Sequence, residues 1–422
     1  MARWASPEEA ISTVRPEDHI VLPPGCGEVL ALEREIGRQH ERLAGLTIYS
    51  GLLLSDYPFL VDEAEFRYGT WHLMRPAREL VESGRAEFFP ISGSHVTEMF
   101  RRKYLRSDVA FIHVSPPDAH GYCSLGVSVS YPYSVARMAD RVIAQVNPRM
   151  PRTLGRCSIH VSEIDVMVEV EEPLVEYPAA QIDAVSQTIG KRVAELIPQD
   201  AVVQIGIGAI PEAVLSTLGE QGMNNLRLLG MGIDAMVDLA EKGVLRPLDL
   251  EGPSLIGTEL MGTTKLFDFV ADNRQVEMHP SEVVLSAKRI SGYDRLVSIN
   301  SALQVDLFGQ VNAEFIGGRQ IGGIGGSIDF IRGARMSDGG QTIIAIPAAD
   351  AKKRYSRIVS RLDAGTPVSI PRHFVDIVVT EFGVAHLAGL GLRERAEALI
   401  AIADPDFRYQ LAGSLSGKED QA

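Results

Sequence analysis

The stretch Gln204-Ile205-Gly206-Ile207-Gly208-Ala209-Ile210-Pro211-Glu212-Ala213 sets two glycines between an apolar run and a helical pattern. Glycines after a buried strand let the backbone turn sharply and bring its N–H groups close to a ligand. The helix that follows adds the positive end of its dipole, and Pro211 suits its first turn. Such a place stabilises a phosphate or a developing oxyanion. The alternative is a tight turn with close strand–helix packing. The third glycine and the ribose-binding acid of a dinucleotide fingerprint are missing, which argues against a nicotinamide enzyme.

A denser cluster runs Gly317-Gly318-Arg319-Gln320-Ile321-Gly322-Gly323-Ile324-Gly325-Gly326-Ser327. So many glycines cannot form the interior of a helix or strand. Ordering them costs entropy that contact with a ligand or an interface would offset. Elsewhere, Ser115-Pro116-Pro117-Asp118-Ala119-His120-Gly121-Tyr122 could line a cleft or be ordinary turn chemistry. His160 before Ser162-Glu163-Ile164-Asp165 could join an acid/base pair or simply be hydrogen-bonded. No GxSxG elbow, HExxH pair or Walker loop occurs. Cys26, Cys123 and Cys157 show no metal-binding spacing and are expected to be small buried fillers, so no metal site is expected.

Short Val- and Ile-rich runs alternate with helical patterns and must hold these residues in place. The strands expected are Val109–Val114, Arg141–Val146, Ala201–Ile205, Thr342–Ile346 and Asp376–Thr380, and the helices Ile182–Leu196, Pro211–Leu218 and Leu392–Ile402. Strand followed by helix, repeated, argues for an open α/β architecture with mostly parallel sheets. His19-Ile20-Val21-Leu22, Pro24-Gly25-Cys26-Gly27 and Val29-Leu30-Ala31-Leu32 echo the strand, glycine loop and helix that begin at Ala201. With Glu169–Pro178 as a linker, two related α/β domains are expected, 1–178 and 179–422, the second carrying the glycine loops.

The chain has 422 residues, enough for two or three domains, and is 45% hydrophobic and 23% charged, as a folded globular protein would be. Its 41 basic and 55 acidic residues leave a net charge of -14, which argues against nucleic acid or an acidic membrane surface as partner but leaves room for a local basic pocket. The amino terminus lacks a signal-peptide core, and no apolar run is long enough to span a bilayer. With three scattered cysteines and no disulfide framework, a reduced cytoplasmic setting is expected.

Taken together, these segments resemble the acetyl-CoA hydrolase/4-hydroxybutyrate CoA-transferase family of class I CoA-transferases. The resemblance rests on Val114-Ser115-Pro116-Pro117-Asp118, Gly121-Tyr122-Cys123-Ser124-Leu125-Gly126, His160–Asp165, Gln204–Pro211, Met261-Gly262-Thr263, Ser298-Ile299-Asn300-Ser301, Val305-Asp306-Leu307, Gly325-Gly326 and Thr380-Glu381-Phe382-Gly383-Val384-Ala385. It implies two α/β domains of the CoA-transferase type and a homodimer. The substrates would be acyl-CoA and a small carboxylic acid or water, with no tightly bound cofactor. It implies a glutamate that attacks the thioester, forms an acyl-glutamyl anhydride and then a glutamyl-CoA thioester. By position, Gly206, Ile207, Gly208, Ala209, Ile210, Gly325, Gly326 and Pro347 would contact CoA. At the family's glutamate position this sequence has Gly230, its register set by Met231, Asp234 and Val237-Asp238-Leu239. Glu259 and Glu314 are the nearest substitutes; each could instead be a solvated or salt-bridged carboxylate. Three functions follow: transfer or hydrolysis through another carboxylate, non-covalent thioester hydrolysis, or a CoA-thioester-binding subunit or pseudoenzyme whose partner chain supplies the glutamate.

Overall fold

The computed structural model describes residues 3–247 and 249–415. The chain divides into two units. The first takes the chain as far as Pro178, then Gly230–Val237, then the stretch ending at Ser286; the second takes Ala179–Leu229, Asp238–Pro247 and the chain from Ala287.

In the first unit, eight strands lie in the order Arg3–Trp4, Val166–Glu169, Arg141–Val146, Val109–Val114, His19–Val21, Thr47–Ser50, Arg67–Thr70 and Ala86–Phe88. Every pairing is parallel. Val109–Val114 is buried at all positions, which accounts for an apolar run broken only by the buried His113. Ile20, Leu32, Ile36, Ile48, Phe59, Phe111 and Ile143 share one core. His19–Val21 leads through Pro24 into a single tight turn, Gly25–Gly27, and then the helix Leu30–Arg38. The strands Leu255–Leu260, Val276–Met278 and Leu154–Gly155 pair in parallel in the same unit.

In the second unit, Val202–Ile205, Leu296–Ser301, Gln341–Ala345 and Ile377–Thr380 are parallel neighbours in that order, and Gly383–His386 closes the edge antiparallel. The helices Ala184–Ala194 and Ala209–Glu220 pack closely at Gly190, where a Cβ would lie 2.6 Å from Ala213 Cβ. The architecture is α/β with parallel sheets, and Val109–Val114, Arg141–Val146 and Leu392–Ile402 fall where the sequence places them. The helix expected from Pro211 begins two residues earlier, at Ala209. Pro211 sits in its first turn, where a missing N–H breaks no helical bond. Within the second glycine cluster, Gly317 and Gly318 form the two-residue turn of a hairpin that pairs Ile316 with Arg319. Both have positive φ, 57° and 81°, which such turns require, so turn chemistry alone is reason enough for glycine at both.

Candidate functional site

In the second unit, Gly206 leaves the carboxyl end of Val202–Ile205, and Pro347 follows the carboxyl end of Gln341–Ala345, two strands across. Asn300 lies near the end of the strand between them. Gly326 caps the helix Ser327–Met336, which runs back to begin Gln341–Ala345, so its amino end belongs to the same edge. Ligands of open parallel sheets bind at this edge. Gly208 caps Ala209–Glu220 with φ 117° and no side-chain cap. A Cβ on either Gly206 or Gly208 would meet no atom within 4 Å. Close packing therefore does not require these glycines, and open space lies over the loop. Beneath it, Ser298 Oγ donates to Gln204 Oε1 at 2.6 Å, and Asn300 Nδ2 donates to Gln204 Oε1 at 3.3 Å and to Ser298 Oγ at 3.0 Å. This network fixes the strand ends that carry the loops. Asn300 belongs to the Ser298–Ser301 block but was not singled out from sequence; its place between the two loops shows only in the fold.

In the first unit, Leu255–Leu260 carries Glu259, and Arg227–Gly232 ends beside it, Met261 N–H donating to Gly232 O at 2.7 Å. Gly230 has φ 109°, a backbone conformation that L side chains rarely adopt. The carboxyl of Glu259 is enclosed. Ser128 Oγ donates to Oε1 at 3.2 Å, and Oε2 has no hydrogen-bond partner among the described residues. A Cβ on Gly25 would lie 3.9 Å from that oxygen and 3.9 Å from Leu52 Cδ2. Burial pushes the Glu259 pKa up to about 8, and the neighbouring Ser130 and Ser128 pull it back only in part. Glu259 as a whole is half-buried, but its Oε2 is shut away from solvent, and a carboxyl that changes charge near neutrality with one such oxygen lacking a partner among the described residues can act as nucleophile or base. Asp234 is already committed: it accepts from Thr263 N–H and Thr263 Oγ at 2.9 and 2.7 Å.

Glu314 lies in the other unit. Its Oε2 accepts from Ser369 Oγ at 2.7 Å, and its carbonyl accepts from the N–H groups of Ile321 and Gly322, so it braces the neighbouring hairpin. His160 Nδ1 bonds Ser162 in a local cap, and Asp118 Oδ1 accepts from the N–H groups of His120 and Tyr122. Both follow the turn and capping alternatives. All three cysteines are buried; burial raises Cys26 to about 12 and Cys123 to about 11. No group of His, Cys, Asp or Glu suited to a metal occurs among the described residues, and no helix among them is long and apolar enough to cross a membrane.

Two buried carboxylates went unnoticed in the sequence. Glu28 accepts from the N–H groups of Leu54 and Ser55, and Glu33 accepts from Val29 N–H at 3.2 Å. Among the described residues neither forms an ion pair. Burial raises Glu28 to about 7 and Glu33 well above the usual carboxylate range. The only sequence signal was Glu28 directly after the Gly25-Cys26-Gly27 turn.

Residues 2–177 match the family model of the acetyl-CoA hydrolase/transferase N-terminal domain, and residues 262–415 that of the C-terminal domain. The chain is 42% identical over 409 residues to a 4-hydroxybutyrate coenzyme A transferase of Clostridium kluyveri, covering 96% of this chain and 95% of that protein. It is 37% identical over 416 residues to a succinyl-CoA:cyclohexane-1-carboxylate CoA transferase of Geobacter metallireducens, covering 96% and 93%. Among solved structures it resembles RipA from Yersinia pestis with a TM-score of 0.90 at 31% identity, over 98% of this chain and 97% of that one.

Proposed function

The chain belongs to the acetyl-CoA hydrolase/transferase family and handles acyl-CoA as an enzyme, and we propose that it moves CoA from an acyl-CoA to a small carboxylic acid with Glu259 as the reacting carboxyl. The observation that carries this assignment is Glu259, whose Oε2 is out of solvent with no hydrogen-bond partner among the described residues and whose pKa burial pushes up to about 8. A desolvated carboxylate with no countercharge is a stronger nucleophile than a solvated one.

The chemistry balances as follows. Ionised Glu259 adds through an oxygen to the thioester carbonyl; the C–S bond breaks, CoA leaves as thiolate, and an acyl-glutamyl anhydride remains. The thiolate attacks the glutamyl carbonyl of the anhydride, expelling the first carboxylate and leaving a glutamyl-CoA thioester. The incoming carboxylate displaces CoA to form a second anhydride. The thiolate then attacks the newly bound acyl carbonyl, releasing the new acyl-CoA and ionised Glu259. Water in place of the incoming acid gives hydrolysis. Gly206–Ile210, Gly325, Gly326 and Pro347 would hold the CoA, with backbone N–H groups as donors. The family relationship and the open space over Gly206 and Gly208 support this assignment.

Incubation with acetyl-CoA followed by borohydride, then peptide mapping by mass spectrometry, tests the assignment. Reduction of a glutamyl thioester should mark Glu259, and Glu259→Gln should abolish both the mark and transfer to added carboxylates. A mark on another glutamate, or an active Glu259→Gln enzyme, would overturn it. A homodimer and a cytoplasmic setting complete the proposal; light scattering of the purified chain checks the first.

A further inference from the structure

Two segments of the first unit are stitched together, and one of them, the turn at Gly25, borders Glu259. Gly25 N–H donates to Leu52 O at 2.6 Å. Three residues on, the Glu28 carboxylate takes the N–H of Leu54 through Oε1 and the N–H of Ser55 through both oxygens, the latter at 3.3 Å. The backbone of Glu28 is held as well: its N–H donates to Gly25 O, and its carbonyl lies 2.9 Å from His113 Nδ1. His113 is buried, and desolvation lowers its pKa to about 4, so the ring is neutral. Its other nitrogen lies 3.3 Å from Gln145 Nε2, a donor, so Nδ1 carries the proton and donates to the carbonyl. Glu28 is 1% exposed. A carboxyl buried this deeply is costly unless hydrogen-bonded, and its bonds go to the N–H groups of Leu54 and Ser55. What it orders is Leu52–Ser55, the start of the long connection to Arg67–Thr70, which otherwise has no regular structure to hold it. A Cβ on Gly25 would lie 2.9 Å from Met261 Sδ and 3.9 Å from both Glu259 Oε2 and Leu52 Cδ2, so Gly25 sits between the Leu52 side chain and the Glu259 oxygen that has no hydrogen-bond partner among the described residues.

We propose that Glu28 is a positioning residue: by clamping Leu54 and Ser55 onto the Gly25–Glu28 turn it fixes the Gly25 wall beside Glu259, and so sets where the acyl group of the thioester must sit. The proposal rests on Glu259 as the reacting carboxyl. Glu28 touches neither the Glu259 carboxyl nor a reacting atom; it acts through the loop. Loss of one clamp bond leaves the wall free to shift, and misplacement of a reacting group by an ångström costs about a hundredfold in rate.

The test compares the full-length protein with Glu28→Gln, which keeps an acceptor for one N–H and sets an amide against the other, and with Glu28→Asp, whose carboxylate is too short to reach both. Each is assayed with a short and a longer unbranched acyl-CoA, alongside thermal unfolding and borohydride mapping of the wild type. We expect both variants to unfold cooperatively, to lose about tenfold or more in kcat with the short acyl-CoA, and to favour the longer chain relative to wild type. An unchanged ratio between the two acyl-CoAs in a folded variant, whether or not both rates fall together, overturns the proposal. Should both substitutions prevent folding, Ser55→Pro, which deletes one clamped N–H, must shift the same ratio, and an unchanged ratio there overturns it too. Mapping of the wild type reports separately on Glu259: a mark elsewhere fails that assignment, while the acyl-chain ratio still reports on the clamp.

Discussion

Glu259 makes a prediction that its burial alone dictates. Its folded pKa of about 8 exceeds the usual carboxylate value, so the folded protein holds this proton more tightly than the unfolded chain. The stability that follows is complete at low pH and is lost as pH rises from the ordinary carboxylate range toward about 8. Glu259→Gln escapes the loss, so its melting temperature relative to wild type should be more favourable at about pH 8.5 than at about pH 5. Catalysis runs the other way, because the nucleophile is the ionised form: log kcat/KM should climb with pH and level off above about 8, and a profile falling over that range would assign Glu259 as an acid instead. Only part of this was legible in the sequence. Glu259 was picked out as a carboxylate on a strand, but its surroundings come from Gly25 and Ser128, which lie far away in the chain. Glu33 went unseen for the same reason, since an acid in an amphipathic helix reads as solvated until its tertiary neighbours are known, and Glu28, just ahead of that helix, showed no more than its place after the glycine turn. Gly230 was legible as an unusual residue, and its positive φ adds that the backbone there is itself a reason for glycine.

Among the elements, parallel strands were the easiest to foresee, because burial on both faces leaves a mostly apolar run without polar alternation. Val109–Val114 and Arg141–Val146 show this to the residue. Short strands such as Arg3–Trp4 carry no such pattern, and they exist because a neighbour offers a ladder. Glycine loops were legible as loops but not as to purpose: Gly206 and Gly208 lie between a strand end and a helix, Gly317 and Gly318 in a hairpin turn, and a Cβ on any of the four would meet no atom within 4 Å. The helix pair Ala184–Ala194 and Ala209–Glu220 holds the first of these loops in place, and Gly190 is the point of closest approach. Gly190→Val should cost about 1–3 kcal/mol by overpacking, measured by denaturant unfolding. If the helix carries the CoA loop as proposed, the same variant should bind CoA more weakly by calorimetry, while Gly84→Ala, far from any neighbour, should not.

For the molecule as a whole, the division into units does not follow the chain. The first unit draws Gly230–Val237 and the segment ending at Ser286 from beyond Pro178. Leu260 N–H donates to Val127 O, and the N–H groups of Val129 and Ser130 both donate to Thr258 O, so a fragment ending at Pro178 leaves buried polar groups and part of its core bare. Such a fragment should show no cooperative thermal transition by circular dichroism, where the full chain shows one. A net charge of -14 gives no long-range attraction for an anionic ligand, so binding of CoA must rest on local donors such as the loop N–H groups. The three cysteines have a practical side. Thiolates react and thiols do not, and every cysteine here is buried, with its pKa held high. The protein's own sulfur is therefore silent toward a chromogenic disulfide reagent such as Ellman's. In an acetyl-CoA assay every colour change in the cuvette would belong to CoA set free, and transfer to a carboxylate, which frees none, would stand apart from hydrolysis by its lack of colour.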